Sequence, residues 1–297
     1  MTEVVSPGPE EVNQLNLQRK NGLIDLEVAR NQDGVPLPSW VELSVVDLCN
    51  RTCEFCPRSD PEIAPNRKHY MTLELCERLA EQLKAIEFSG TIVLGGYGEP
   101  LLHPQVNQII ETFSRVSNTE VVTNGDRLGV KIAQDLVRHG AAKTLVSLYD
   151  GPEQLEKFND VLTSAKIPLN RFLLRPRWHT AGDDFGLILT NRAGTVSVGN
   201  QPELREREKC FYPHYMMMID WNGDVFPCPQ DWHRKNPVGN VDHQSLMDVW
   251  LAPKYQDFRE RLAQADRGLF PCNQCNARGV LHGENHAHAW ERYYRRD

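Results

Sequence analysis

The chain has 297 residues, 40% of them hydrophobic and 25% charged, and a formal net charge of −7. That length accommodates one large domain and a smaller one. No apolar run approaches the eighteen or so residues that span a bilayer, and the acidic balance argues against nucleic acid as a main partner, because neutralising phosphates needs a basic surface. Eight cysteines follow a start, Met1 to Glu10, that is acidic and Pro-containing rather than basic and apolar. This combination predicts a cytoplasmic protein whose reduced thiols bind metal, not a disulfide framework.

Residues 1–39 read as a polar N-terminal extension. Its one weakly amphipathic piece, near Leu15 to Val28, is either a short helix on the main domain or a mobile arm, and Pro36 and Pro38 mark its end. Trp40 to Leu48 then reads as a buried strand that delivers the chain to Cys49-Asn50-Arg51-Thr52-Cys53-Glu54-Phe55-Cys56. Three thiols spaced C-x3-C-x2-C can wrap one loop around an iron–sulfur cluster and leave one iron without a protein ligand. Structural zinc needs a fourth protein ligand close by, and the nearest candidates, His69 and Cys76, come too late for a compact loop. Cys76 falls within a helical pattern and reads as core.

After this loop, helices and strands alternate. Helices are expected over Thr72 to Ile86 with Thr72 as N-cap, Pro104 to Val116, Val130 to His139 and Pro152 to Ser164. Strands are expected over Thr91 to Leu94, Glu120 to Thr123, Lys143 to Leu148 and Asn170 to Leu174. The alternation predicts an α/β class with a parallel sheet, whose functional groups gather at the carboxyl ends of the strands. The first of these strands runs into Gly95-Gly96-Tyr97-Gly98-Glu99-Pro100, where glycines permit close backbone approach and the carboxylate can accept hydrogen bonds from an ammonium group. The next two end in Thr123-Asn124-Gly125 and Ser147-Leu148-Tyr149-Asp150-Gly151, segments that suit ligand contacts or plain turns. Arg175-Pro176-Arg177-Trp178-His179 closes the last, and two further short strands are expected at Phe185 to Leu189 and Thr195 to Val198.

A charged passage over 201–209 leads to a second unit containing Cys210, Cys228 and Cys272-x2-Cys275. Four thiols can close an iron–sulfur cluster fully, and they can equally hold zinc. Met216 to Asp220 and Asp224 to Pro227 read as a β-hairpin turning at Asn222-Gly223. A helix from Leu246 to Leu262 follows, which Pro253 can break in two. His282, His286 and His288 in the tail read as surface or pocket lining rather than a metal site.

The N-terminal thiol motif and the strand ends behind it resemble the radical S-adenosylmethionine (radical SAM) enzymes. The C-terminal thiols resemble the auxiliary-cluster extension called SPASM, in its abbreviated "twitch" form. Together the resemblances cover about residues 41–297. They imply a partial (β/α)6-type radical SAM barrel over 40–205 and a small α+β auxiliary-cluster domain over 206–297. They imply two 4Fe-4S clusters, one held by Cys49, Cys53 and Cys56 and one by Cys210, Cys228, Cys272 and Cys275. S-adenosylmethionine (SAM) would chelate the open iron, with Phe55 near its adenine and Gly96, Gly98 and Glu99 in the family's "GGE" segment, which Tyr97 interrupts here. Asn124 and Ser147 carry over as contacts to the ribose hydroxyls and methionyl carboxylate. Tyr149, Asp150 and Arg175 are the candidate catalytic groups, with His179 beside them and Trp178 available to stack on a sugar ring. The implied activity is hydrogen-atom abstraction from a small polyhydroxylated molecule (sugar, amino sugar or aminocyclitol), giving dehydrogenation or epimerisation, with a reducing donor such as a flavodoxin or ferredoxin. A maturase of a ribosomal peptide is the alternative, although the 39 residues before Trp40 are few for a peptide-clamping domain. A non-catalytic two-cluster electron carrier would leave the open iron without a role.

Overall fold

The computed structural model describes residues 9–178, 189–199 and 201–295. Short apolar runs buried on both faces pair as parallel strands. Five of them follow in order: β1 (Trp40–Leu43), β2 (Thr91–Leu94), β3 (Asn118–Thr123), β4 (Lys143–Leu148) and β5 (Phe172–Pro176). Between them run α2 (Leu73–Ala85), α3 (Val106–Ser114), α4 (Val130–Arg138) and α5 (Glu153–Ser164). Side chains alternate across each strand. In β1, Val41 and Leu43 pack into the main apolar core, whereas Trp40 and Glu42 line the interior cavity. The α2 helix starts where the Thr72 hydroxyl accepts from the Leu75 N–H at 3.2 Å, and it buries Leu75, Leu79 and Leu83 along one stripe.

The sixth parallel strand is β6 (Met216–Ile219), paired with β1 in the register Val41↔Met217 and Leu43↔Ile219. All four of its residues are buried, so both of its edges need backbone partners. β1 supplies one, and β7 (Asp224–Phe226) supplies the other through an antiparallel pairing. The expected hairpin is therefore present, with Gly223 at a φ of 85° in its turn, but its first strand continues the main sheet. β8 (Gly239–Asn240) adds the last edge, giving the order β5-β4-β3-β2-β1-β6-β7-β8.

The strand expected at Thr195 to Val198 is absent. Arg192 and Ala193 both take left-handed φ values, 47° and 54°, and with Gly194 they form a tight turn. That turn docks on the C-terminal thiol segment, where the Asn191 N–H donates to Asn276 Oδ1 at 2.8 Å. Most of the strand expected over 185–189 lies outside the described residues, as does His179.

The C-terminal helices are α6 (Tyr212–Tyr215), α7 (Leu246–Trp250), α8 (Pro253–Ala263) and α9 (Glu284–Tyr294), with Pro253 as the first residue of α8. Arg259 holds them together from within. Its guanidinium lies 3.9 to 4.4 Å from the ring centroids of Trp290, Trp250 and Tyr255 and donates to the carbonyls of Pro213 and Trp250.

The N-terminal extension contains α1 (Pro9–Ile24), a helix seated on the main domain. It packs against β5, pairs Arg19 with Glu120 of β3, and sets Ile24 among Trp40, Tyr215 and Met216. At its end Asp25 Oδ1 accepts from the Gly283 N–H at 2.7 Å. This helix thus bridges the edge strand β5 to the start of α9. Among the described residues no helix is long and apolar enough to cross a membrane.

Candidate active site

Cys49, Cys53 and Cys56 leave the carboxyl end of β1 on a loop that is tied down at several points. The Asn66 side chain grips the Cys49 backbone in both directions, accepting from its N–H and donating to its carbonyl, each at 2.8 Å. Arg51 reaches to the ends of β3 and β4, donating to Asp126 at 2.8 Å and to both oxygens of Asp150 at 2.6 Å. Asn124 donates to Asn50 at 2.9 Å and approaches Cys49 Sγ at 3.9 Å. Burial drives the Cys53 thiol up to about 12, and the neighbouring Cys56 and Cys49 add to the rise. Cys49 is raised as well, first by burial and then by the nearby Glu99 and Cys56, and buried thiols of this kind ionise only when a cation compensates them.

These thiols open onto a cavity of about 670 Å³ that extends down to α1. Cys49, Cys53, Cys56, Phe55, Gly96, Gly98, Glu99, Asn124, Ser147, Tyr149 and Arg175 all lie on its wall. Asp150 is not on the wall; its carboxylate is 53% exposed and engaged by Arg51. Trp178 is a correction as well. It is buried in the main apolar core, the favourable place for a large ring, and does not line the cavity.

The glycine-rich turn has packing reasons of its own. A Cβ on Gly98 would lie 2.1 Å from the Val46 carbonyl oxygen, and one on Gly96, at φ 75°, would lie 2.6 Å from Met218 Cε. Both glycines let the turn cross close over β1 and β6. Glu99 is 3% exposed and accepts from the Leu101 N–H at 3.0 Å, the Thr123 hydroxyl at 2.7 Å and the Asn124 N–H at 2.7 Å. Burial raises its pKa to about 7, with the three hydrogen bonds acting in the opposite direction. Tyr97, which interrupts the glycines, is a docking residue: its hydroxyl donates to the Asp231 carbonyl at 2.8 Å, and its ring packs with Phe226 and Trp232.

On the far wall Phe55 stacks on Tyr149 at 5.6 Å, and Arg175 donates to the Ser147 hydroxyl at 2.8 Å. Sequence reasoning missed the floor, where Arg19 and Lys20 of α1 meet Glu42 and Glu120. Glu42 was visible as a charge inside an otherwise apolar strand, which is an interior signal, whereas Glu120 stands among the polar residues that begin β3.

The second thiol group converges similarly. Burial comes first among the causes that raise Cys228, followed by Cys272, Cys275 and Cys210. Cys210 rises to about 11, and a Cβ on Gly279 would lie 2.1 Å from its sulfur, so glycine leaves room at that thiol. Arg267 pins both thiol segments through the carbonyls of Glu208, Cys275 and Ala277. Among the described residues no three His, Cys, Asp or Glu side chains close tightly enough to hold a single metal ion. His282 is near Asp25 at 3.3 Å, and His286 is buried beside Tyr215.

A parallel sheet with a three-thiol loop at its carboxyl edge and a four-thiol site beyond it defines a class. Residues 43–166 match the radical SAM superfamily, and residues 210–276 match SPASM, an iron–sulfur cluster-binding domain. The chain belongs to the radical SAM superfamily. These domains bring SAM with a 4Fe-4S cluster and an auxiliary iron–sulfur cluster, and the two thiol sets fit them. The chain is 30% identical over 248 residues, 80% of its length and 92% of the relative's, to the S-adenosyl-L-methionine-dependent 2-deoxy-scyllo-inosamine dehydrogenase of Niallia circulans. The structure of BtrN in complex with AdoMet and 2-DOIA is similar with a TM-score of 0.70 at 28% identity, over 84% of this chain and 98% of that one. The anSMEcpe structure with AdoMet and a peptide shares the fold alone, with a TM-score of 0.52 at 14% identity over 88% of this chain and 96% of that one.

Proposed function

We propose that the protein oxidises a hydroxyl of a small polyhydroxylated ring, a sugar, amino sugar or aminocyclitol, to a ketone by radical SAM chemistry. The observation that carries this reading is the similarity to the Niallia circulans dehydrogenase over 92% of that enzyme's length, a likeness to a whole enzyme rather than to one domain. When bound, the cofactors supply a carbon-centred radical that takes a hydrogen atom from the substrate and an acceptor for the electron left behind. Cys49, Cys53 and Cys56 would hold the first cluster, and Cys210, Cys228, Cys272 and Cys275 the auxiliary one. Glu99, the backbone around Gly96 and Gly98, and Asn124 would hold SAM, with Phe55 beside its adenine. Ser147 would contact the ribose or carboxylate of SAM, and Tyr149 and Arg175 on the same cavity wall would orient the ring. Asp150 works at one remove, fixing Arg51 and with it the cysteine loop.

Dehydrogenation is favoured over epimerisation by the cysteine inventory. Inverting a carbon requires a hydrogen donor on its far face, most simply a thiol. Of the eight cysteines, seven make up the two cluster sites, and Cys76 is fully buried in α2. The reducing electron would come from a small carrier such as a flavodoxin or ferredoxin, in the cytoplasm, where free thiols persist.

Anaerobically reconstituted protein given SAM, a reductant and a panel of cyclitols and sugars should form 5′-deoxyadenosine and a ketone in equal amounts. An inverted alcohol as product, or turnover of peptides only, would contradict the reading.

A further inference from the structure

We infer that α1 is the floor of the substrate cavity and that Lys20 is the specificity-determining residue there, its ammonium donating to a hydroxyl or anionic group of the ring and excluding an amine at that position. This rests on the proposed function and narrows its substrate class.

The cavity has two ends. The thiol trio, Glu99 and Asn124 stand at the carboxyl ends of the strands, while Trp40, Glu42 and Glu120 lead down to Arg19, Lys20 and Ile24 on α1. A volume near 670 Å³ lies within the range of small-ligand sites. A cofactor anchored at the thiol end leaves the α1 end for the substrate. The helix itself is fixed there: Arg19 pairs with Glu120, Asp25 takes the Gly283 N–H, and Asn285 Nδ2 donates to the Ile24 carbonyl at 3.4 Å.

Lys20 differs from its neighbours in being uncommitted. Its ammonium lies 5.1 Å from the Trp40 ring centroid and makes no hydrogen bond or ion pair among the described residues. Arg19 is taken by Glu120, and Arg175 by Ser147. Three cations, Lys20 and Arg19 on the floor and Arg175 on the wall beside it, act on this end of the cavity with two carboxylates, Glu42 and Glu120. Burial, with Arg19 and Arg175 adding to it, lowers the Lys20 pKa to about 8. An oxygen acceptor or anion entering this site relieves the excess of positive charge, and a second ammonium adds to it. Because α1 precedes residue 43, where the superfamily match begins, Lys20 adds to the matched core. The ring therefore carries oxygen at the position facing Lys20, whatever amine the related dehydrogenase accepts elsewhere.

The test uses the reconstituted holoenzyme and three rings: a fully hydroxylated cyclitol, its amine-bearing analogue and its carboxylate- or phosphate-bearing analogue. The wild-type enzyme should prefer the hydroxylated or the anionic ring over the amine by roughly tenfold or more in kcat/KM. Lys20→Met should raise KM for the preferred ring by about 10- to 100-fold, the loss of a charged hydrogen bond, with kcat changing much less. Lys20→Arg should restore most of the affinity, and Lys20→Glu should shift preference towards the amine. Iron content and melting temperature check each fold; if Lys20→Met loses its clusters, Lys20→Gln is read in the same way. An unchanged KM in the Met variant, a fall confined to kcat, or a wild-type preference for the amine overturns the inference and leaves the proposed function standing. A wild-type enzyme that cleaves SAM but turns over no ring overturns both.

Discussion

Glu99 accepts three hydrogen bonds, from the turn after β2, the last residue of β3 and the residue that follows it, and still lies on the cavity wall. Its burial sets a pH dependence that follows from the proposed contact with the SAM ammonium. A pKa raised to about 7 means that the protonated fraction grows as pH falls through 7, and a protonated carboxyl no longer pairs with a cation. SAM affinity should therefore be roughly tenfold weaker at pH 6 than at pH 8 and level off above that. Isothermal titration across this range checks it, and Glu99→Gln should flatten the profile. A constant wild-type affinity would contradict the contact. The sequence exposed Glu99 because a lone acid follows a glycine turn, but it hid the reason for Gly98, which is the close approach of the Val46 carbonyl. It hid Asn66 and Arg267 as well, since their partners are backbone groups that only the folded chain brings near.

Among elements, the hairpin β6–β7 was legible from its alternation and Asn-Gly turn, whereas its partner was not. Thr195 to Val198 carries equally good strand residues, and what decides against it is the pair of left-handed residues just before. Pairing with β1 is a long-range choice, reinforced by a buried ionic network that spans the two matched domains. Asp47 Oδ1 accepts from Arg58 and Arg234, each at 2.7 Å, and Arg234 also donates to Asp220 at 3.0 Å. Both carboxylates are 4% exposed, and removing Arg234 leaves Asp47 to Arg58 while stripping Asp220 of its cation, a buried charge left uncompensated. Arg234→Met should cost about 3 kcal/mol, seen as a fall of several degrees in melting temperature. Adding Asp220→Asn should recover part of that loss. A double variant as unstable as the sum of the single losses would show that the charges do not interact.

For the molecule as a whole, the parallel α/β architecture and the cysteine motifs were legible because strand–helix alternation and C-x2-C spacing are local in sequence. The floor of the cavity was not, because a weakly amphipathic N-terminal piece does not reveal what it will cover. The proposed chemistry requires an iron that Cys49, Cys53 and Cys56 leave open to SAM. Electron paramagnetic resonance of the reduced, anaerobically reconstituted protein, recorded with and without SAM, tests this most directly. The expected result is two cluster signals of which SAM alters one, with the responsive signal lost in Cys53→Ala and kept in Cys272→Ala. A wild-type spectrum indifferent to SAM, or a response that survives in Cys53→Ala, would contradict it.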